Sequence, residues 1–95
     1  MEIKISELEL VTEKLFSHLR ELSIENVHLS EDYYWDISKE QLYDPVREPS
    51  TFSLGQLSED WNELVELIHG HGEPLAYDLT RLAAILRAVG QNVLG

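Results

Sequence analysis

Imidazoles and carboxylates are the side chains here with the most obvious capacity for chemistry. His69 and His71 flank Gly70, and a third ligand from His18, His28 or a carboxylate would complete a zinc shell. Zinc sites on helices usually space their histidines four apart, as in His-Glu-x-x-His, and that pattern is absent. His69 and His71 therefore read as two imidazoles in a helix-end loop and only as weak metal candidates. With 18 Asp and Glu in 95 residues, some carboxylates must lie close together in any fold. Abundance nominates neither an acid nor a base, because that chemistry needs two groups whose surroundings drive their pKa values apart. Asp32, Asp36 and Asp44 lack the alternating oxygen ligands and central glycine of an EF-hand loop. Gly55, Gly70 and Gly72 form no phosphate cradle, and no Gly-x-Ser-x-Gly elbow occurs. The expectation is a protein without catalytic residues or cofactors that is not an enzyme.

A second group of residues suits recognition. Tyr33, Tyr34 and Trp35 are adjacent, so in an extended segment Tyr33 and Trp35 face one way and Tyr34 the other. One reading packs Tyr33 and Trp35 under the helices and leaves Tyr34 and Tyr43 with their hydroxyls in solvent. The other makes the rings a hot spot, ringed by Glu31, Asp32, Asp36 and Asp44, for a basic partner. Glu59, Glu63 and Glu66 stand at four- and three-residue spacing, where like charges repel along one helix face. That face is either solvated and partly neutralised by Arg81 or Arg87, or a docking surface. The partner-binding candidates are Tyr34, Trp35, Asp36, Tyr43, Glu59, Glu63 and Glu66.

The segments Tyr33-Tyr34-Trp35, Leu42-Tyr43-Asp44 and Gly55-Gln56-Leu57-Ser58-Glu59-Asp60-Trp61 carry a resemblance. Together they resemble a family of small uncharacterised bacterial proteins that pair a Tyr-Tyr-Trp segment with Leu-Tyr-Asp and a Gly-Gln-Leu-x-Asp/Glu-Asp-Trp helix start, over roughly residues 29 to 88. The resemblance implies a bacterial origin and carries no catalytic residue with it.

The elements that must position these residues follow from periodicity. Leu8, Val11, Leu15, Leu19 and Leu22 recur at three- and four-residue steps and predict a helix over about 6–22, with Ser6 as N-cap and Glu9 completing a capping box. Ser58 as N-cap, with Glu59 and Asp60 in the first turn, opens a helix over about 58–69. Its buried stripe is expected to be Leu57, Trp61, Leu64, Val65 and Ile68, and Gly70, Gly72 and Pro74 end it. A third helix over about 75–89 carries Leu79, Leu82, Ala83, Ile85, Leu86 and Val89, an arc wide enough for two neighbours, and Gly90 is its expected stop. Between Val27 and Ile37 the residues favour one or two short strands. Ser38 suits a single turn through Gln41 and Leu42, and Pro45 and Pro49 make 44–53 a loop. The fold class expected is mainly α: three helices and an irregular, aromatic-rich middle that holds a short β-hairpin.

Bulk properties narrow the partners. Ninety-five residues with 43% hydrophobic content suit one domain with one core. Seven Lys and Arg against 18 acids give a net charge of −11, which repels nucleic acid and anionic membrane surfaces alike. No cysteine is present, which fits a reducing cytosol, and the first residues show neither a basic n-region nor an apolar run. A cytoplasmic interaction module for a basic protein is the leading expectation, with an immunity or antitoxin-like inhibitor as its concrete form. A homodimer closed by Leu10, Phe16 or Leu67 is one alternative, and an enzyme or metal protein built around the central loop and the His69/His71 region is a weaker one.

Overall fold

A computed structural model describes residues 1–36 and 53–93, with only the backbone of Trp35, Asp36 and Ser53. Its elements run α1 (Ile5–Glu21), β1 (Tyr33–Asp36), β2 (Ser53–Gln56), α2 (Leu57–Ile68) and α3 (Ala76–Asn92). The chain is thus mainly α, as the periodicity predicts, with one small two-stranded antiparallel sheet whose first strand falls in the Val27–Ile37 segment and whose second, Ser53–Gln56, does not. Of the region expected to be a loop, Ser53 opens β2. The expected turn at Ser38–Leu42, together with Tyr43, Pro45 and Pro49, lies outside the described residues.

Helix ends depart from the expected caps in instructive ways. The N-cap of α1 is Lys4 rather than Ser6, and it makes no side-chain capping bond. Leu8 N–H donates to the Lys4 carbonyl, so helical geometry begins before Ser6 and the Ser6/Glu9 box does not form at the terminus. At the other end Ser23 adopts φ 62°, with Ser23 N–H donating to Arg20 O at 2.9 Å and Ile24 N–H to Leu19 O at 3.0 Å. This is a Schellman stop on a serine. The same stop ends α2 on Gly70 at φ 74°, where His71 N–H donates to Glu66 O at 2.9 Å. Gly90 does not end α3, which continues to Asn92. The Asn92 side chain donates to Ala88 O at 2.7 Å, and the tail is held helical at the modest backbone cost of an internal glycine.

The α2 N-cap is Gln56, not Ser58, because the chain passes directly from β2 into the helix. The cap function is supplied from 26 residues away. Asp32, just before β1, accepts from Ser58 N–H at 2.7 Å, from Ser58 Oγ at 2.9 Å and from Gln56 Nε2 at 2.7 Å. Its carbonyl takes Leu57 N–H at 2.6 Å. One carboxylate thus fastens the hairpin to the positive end of α2.

The described core is small. Leu57, Ile85 and Ala88 are buried, with Leu29, Tyr34, Leu64, Ala84 and Val89 packed against them. α3 is the central helix, supplying two of these three buried side chains against α2. The predicted α2 stripe is only partly covered: Leu57 is buried, Leu64 and Val65 are half-buried, and Trp61 and Ile68 are exposed. On α3, Ile85 is buried, Leu82 and Val89 are half-buried, and Leu79, Ala83 and Leu86 are exposed. α1 buries no residue at all.

Candidate interaction surface

Residue alternation in β1 holds, but the faces are the reverse of the packing expected for Tyr33 and Tyr34. Tyr33 is 57% exposed, whereas Tyr34 points inward onto the core cluster. The register explains this. Tyr34 stands opposite Gly55, the one β2 residue without a side chain, and its ring occupies the space that a Cβ there would need. The Tyr34 hydroxyl then reaches the first turn of α2 and donates to Asp60 Oδ2 at 2.5 Å. Asp60 is 8% exposed and is the one buried charged side chain among the described residues. Tyr34 is therefore a structural strut whose polar end is bound, not a ring offered to solvent.

The other predicted recognition residues separate. Glu59, Glu63 and Glu66 are all exposed on α2. Glu59 and Glu63 border a polar cleft of about 460 Å³ whose opposite wall holds Tyr77 and Arg81 of α3. Arg81 stacks 4.6 Å from the Tyr77 ring centre and donates to Asp78 Oδ1 at 2.8 Å. The Asp78 bond, then the charges of Asp78, Glu63 and Tyr77, hold the guanidinium pKa above its ordinary value against desolvation. Glu66 pairs with His71 Nδ1 across the stop of α2. The backbones of Trp35 and Asp36 lie in β1, and Tyr43 falls outside the described residues.

Carboxylates that look available for chemistry are committed to local structure. Asp32 is held below the ordinary carboxylate pKa mainly by the Gln56 bond, with help from the two Ser58 bonds, against an opposing effect of desolvation that outweighs either Ser58 bond alone. Asp78 is lowered by the Leu75 N–H at the start of α3 and by Arg81. The His69 and His71 rings lie 6.2 Å apart and tilted. No group of three or more His, Asp or Glu among the described residues is placed to hold a metal ion.

A further surface, beside α1, is apolar. Leu8, Val11, Leu15 and Leu22 of the α1 stripe are exposed, Leu15 at 63%. Leu19, also of that stripe, enters the wall of an open groove of about 840 Å³ between the C-terminal half of α1 and α3. Leu57 and Ile85 of the core line it, with Leu82 and Leu86 on the α3 side and Ile24 and Val27 from the segment after α1. Leu19 joins stripe and groove, since Leu15 and Leu22 of the exposed stripe stand four residues before and three after it. Periodicity finds the stripe but is silent on what covers it. Phe16 and Leu86 are exposed at the groove edge, and Leu10 lies exposed on α1 away from it. No described helix is long and apolar enough to cross a membrane. No protein-family model matches the chain, and neither a curated protein nor a solved structure does.

Proposed function

We propose that this chain is a protein-interaction module that seats a basic partner on its α1 face. The observation that carries this reading is a 17-residue helix with no buried residue, whose Leu8, Val11, Leu15 and Leu22 stand in water. Full burial of such a side chain is worth about 1.5–3 kcal/mol, so covering these half-exposed groups offers roughly 3–6 kcal/mol before association costs. That is comparable to the stability of a whole small domain. Contiguous apolar surface on this scale marks a binding face.

Charge selects the partner. At −11 the molecule attracts a basic protein at long range and repels a second copy of itself. An immunity or antitoxin-like inhibitor working in the cytoplasm is the concrete form, with the acidic surface speeding encounter and the α1 face holding the complex. Glu25 and Glu31, which line the groove beside α1, suit the rim of such an interface. A homodimer through α1 is the second reading, favoured by the exposure of Leu10 and Phe16.

Capture from a lysate of the source cells, with wild type and Leu8→Gln/Leu15→Gln as parallel baits, tests this. Both substitutions keep the charge and favour helix. A Lys- and Arg-rich protein held in near-equal amount by wild type and lost by the variant supports the reading. Sedimentation showing a wild-type dimer, no captured protein, and a monomeric variant replaces it with self-association.

A further inference from the structure

We infer that the groove between α1 and α3 is a seat for one amphipathic, cationic α-helix of the partner, an inference that rests on the interaction reading above. Shape is the first argument. The cavity is an open trough of about 840 Å³, walled on one side by Leu19 of α1 and on the other by Leu82 and Leu86 of α3. A helix laid along such a trough inserts apolar side chains at i, i+3, i+4 and i+7. Charge is the second. The groove lining carries three carboxylates, Glu25, Glu31 and Asp32, against one cation, Arg20. A helix whose apolar face is flanked by Lys and Arg meets that rim with opposite charge, whereas a fatty-acid carboxylate or an acidic helix is repelled.

Extent is the third argument. The groove runs into the exposed stripe of α1 through Leu19, so the matching occupant continues past the cavity, as a helix does and a small apolar molecule does not. A second copy of this chain is the poorer fit. Its own amphipathic helix, α1, carries Glu7, Glu9, Glu13 and Glu21 against Lys14 and Arg20, and would bring net negative charge to a negative rim.

The test uses the full-length protein and a fluorescein-labelled Leu/Lys peptide of about 18 residues, five helical turns, with leucine at the spacing above. Binding is read as anisotropy at about 0.15 M salt. The controls are a peptide of the same composition with leucines scattered around the helix, a Leu/Glu peptide of the original pattern, and dodecanoate as competitor. Leu86→Gln and Phe16→Gln alter the groove wall, and Leu79→Gln alters the same helix as Leu86 at a 71% exposed site that does not line the groove. All three leave the charge unchanged, and circular dichroism checks that each variant folds.

The expected result is peptide binding by wild type and Leu79→Gln. The scattered peptide should bind at least tenfold more weakly, and Leu86→Gln or Phe16→Gln should lose about fivefold or more. Equal binding of patterned and scattered peptides would reduce the effect to bulk charge and overturn the inference. Full displacement by dodecanoate at low concentration would overturn it in favour of a small apolar ligand. Undiminished binding by both folded groove variants would remove the groove while leaving the interaction reading intact, since the lysate capture with the α1 variant tests that reading independently.

Discussion

Removing the hydroxyl of Tyr34 is the sharpest perturbation of the fold. Tyr34→Phe keeps the ring over Gly55 and removes the hydroxyl that donates to Asp60 at 2.5 Å. Asp60 is 8% exposed, so water cannot freely replace that donor. Loss of a hydrogen bond to a charged, buried acceptor costs about 1.5–3 kcal/mol. For a chain of 95 residues, 1 kcal/mol moves Tm by about 4–8 °C, so the variant should melt roughly 6–24 °C below wild type. Urea unfolding followed by tryptophan fluorescence should show a lower midpoint at an unchanged slope. Asp60→Asn and the double variant close a thermodynamic cycle, whose coupling energy should exceed about 1 kcal/mol. A Tyr34→Phe midpoint equal to wild type, with additive double-variant losses, would refute the strut between the hairpin and α2.

Three further outcomes follow from the same geometry. Gly55→Ala should cost about 1–3 kcal/mol in urea unfolding, because its methyl would collide with the Tyr34 ring, and Tyr34→Ala in the same chain should relieve much of the added loss. Gly70→Ala meets no atom within 4 Å, so its cost is confined to the positive φ of 74°, about 1 kcal/mol. Asp32 titrates below its unfolded value of about 3.8 when folded, so its contribution is complete above that pH and is lost as pH falls through the folded pKa. Wild-type urea midpoints should therefore fall more steeply below pH 4 than those of Asp32→Asn, and parallel pH profiles would contradict the cap assignment.

Much of the fold is legible in the residues, and the reasons for the rest are physical. Leucine spacing sets all three helices, and Gly70 marks the end of α2 because a Schellman stop needs a left-handed residue that glycine supplies cheaply. Ser23 fills the same role at the end of α1, where composition gives no such signal. Local pattern points to Ser58 as the α2 cap, yet the acceptor, Asp32, arrives through strand pairing that no local pattern records. Alternation in Tyr33-Tyr34-Trp35 fixes two faces without saying which is inside. The register of Tyr34 against Gly55 decides it. Aromatics and glutamates are the recognition candidates that residue type suggests, and the exposure of the α1 leucines is a feature that residue type does not show. A stripe looks the same in sequence whether its own chain or another covers it.

Hydrogen exchange along α1 bears most directly on the central claim. An isolated helix of 17 residues is marginal in water, so with its apolar face uncovered its amides should exchange far faster than those of α3 in the dilute free protein. Saturation with the captured basic partner should slow the α1 amides at least tenfold. Strong protection of α1 in the free monomer, or exchange unchanged by the bound partner, would contradict the account.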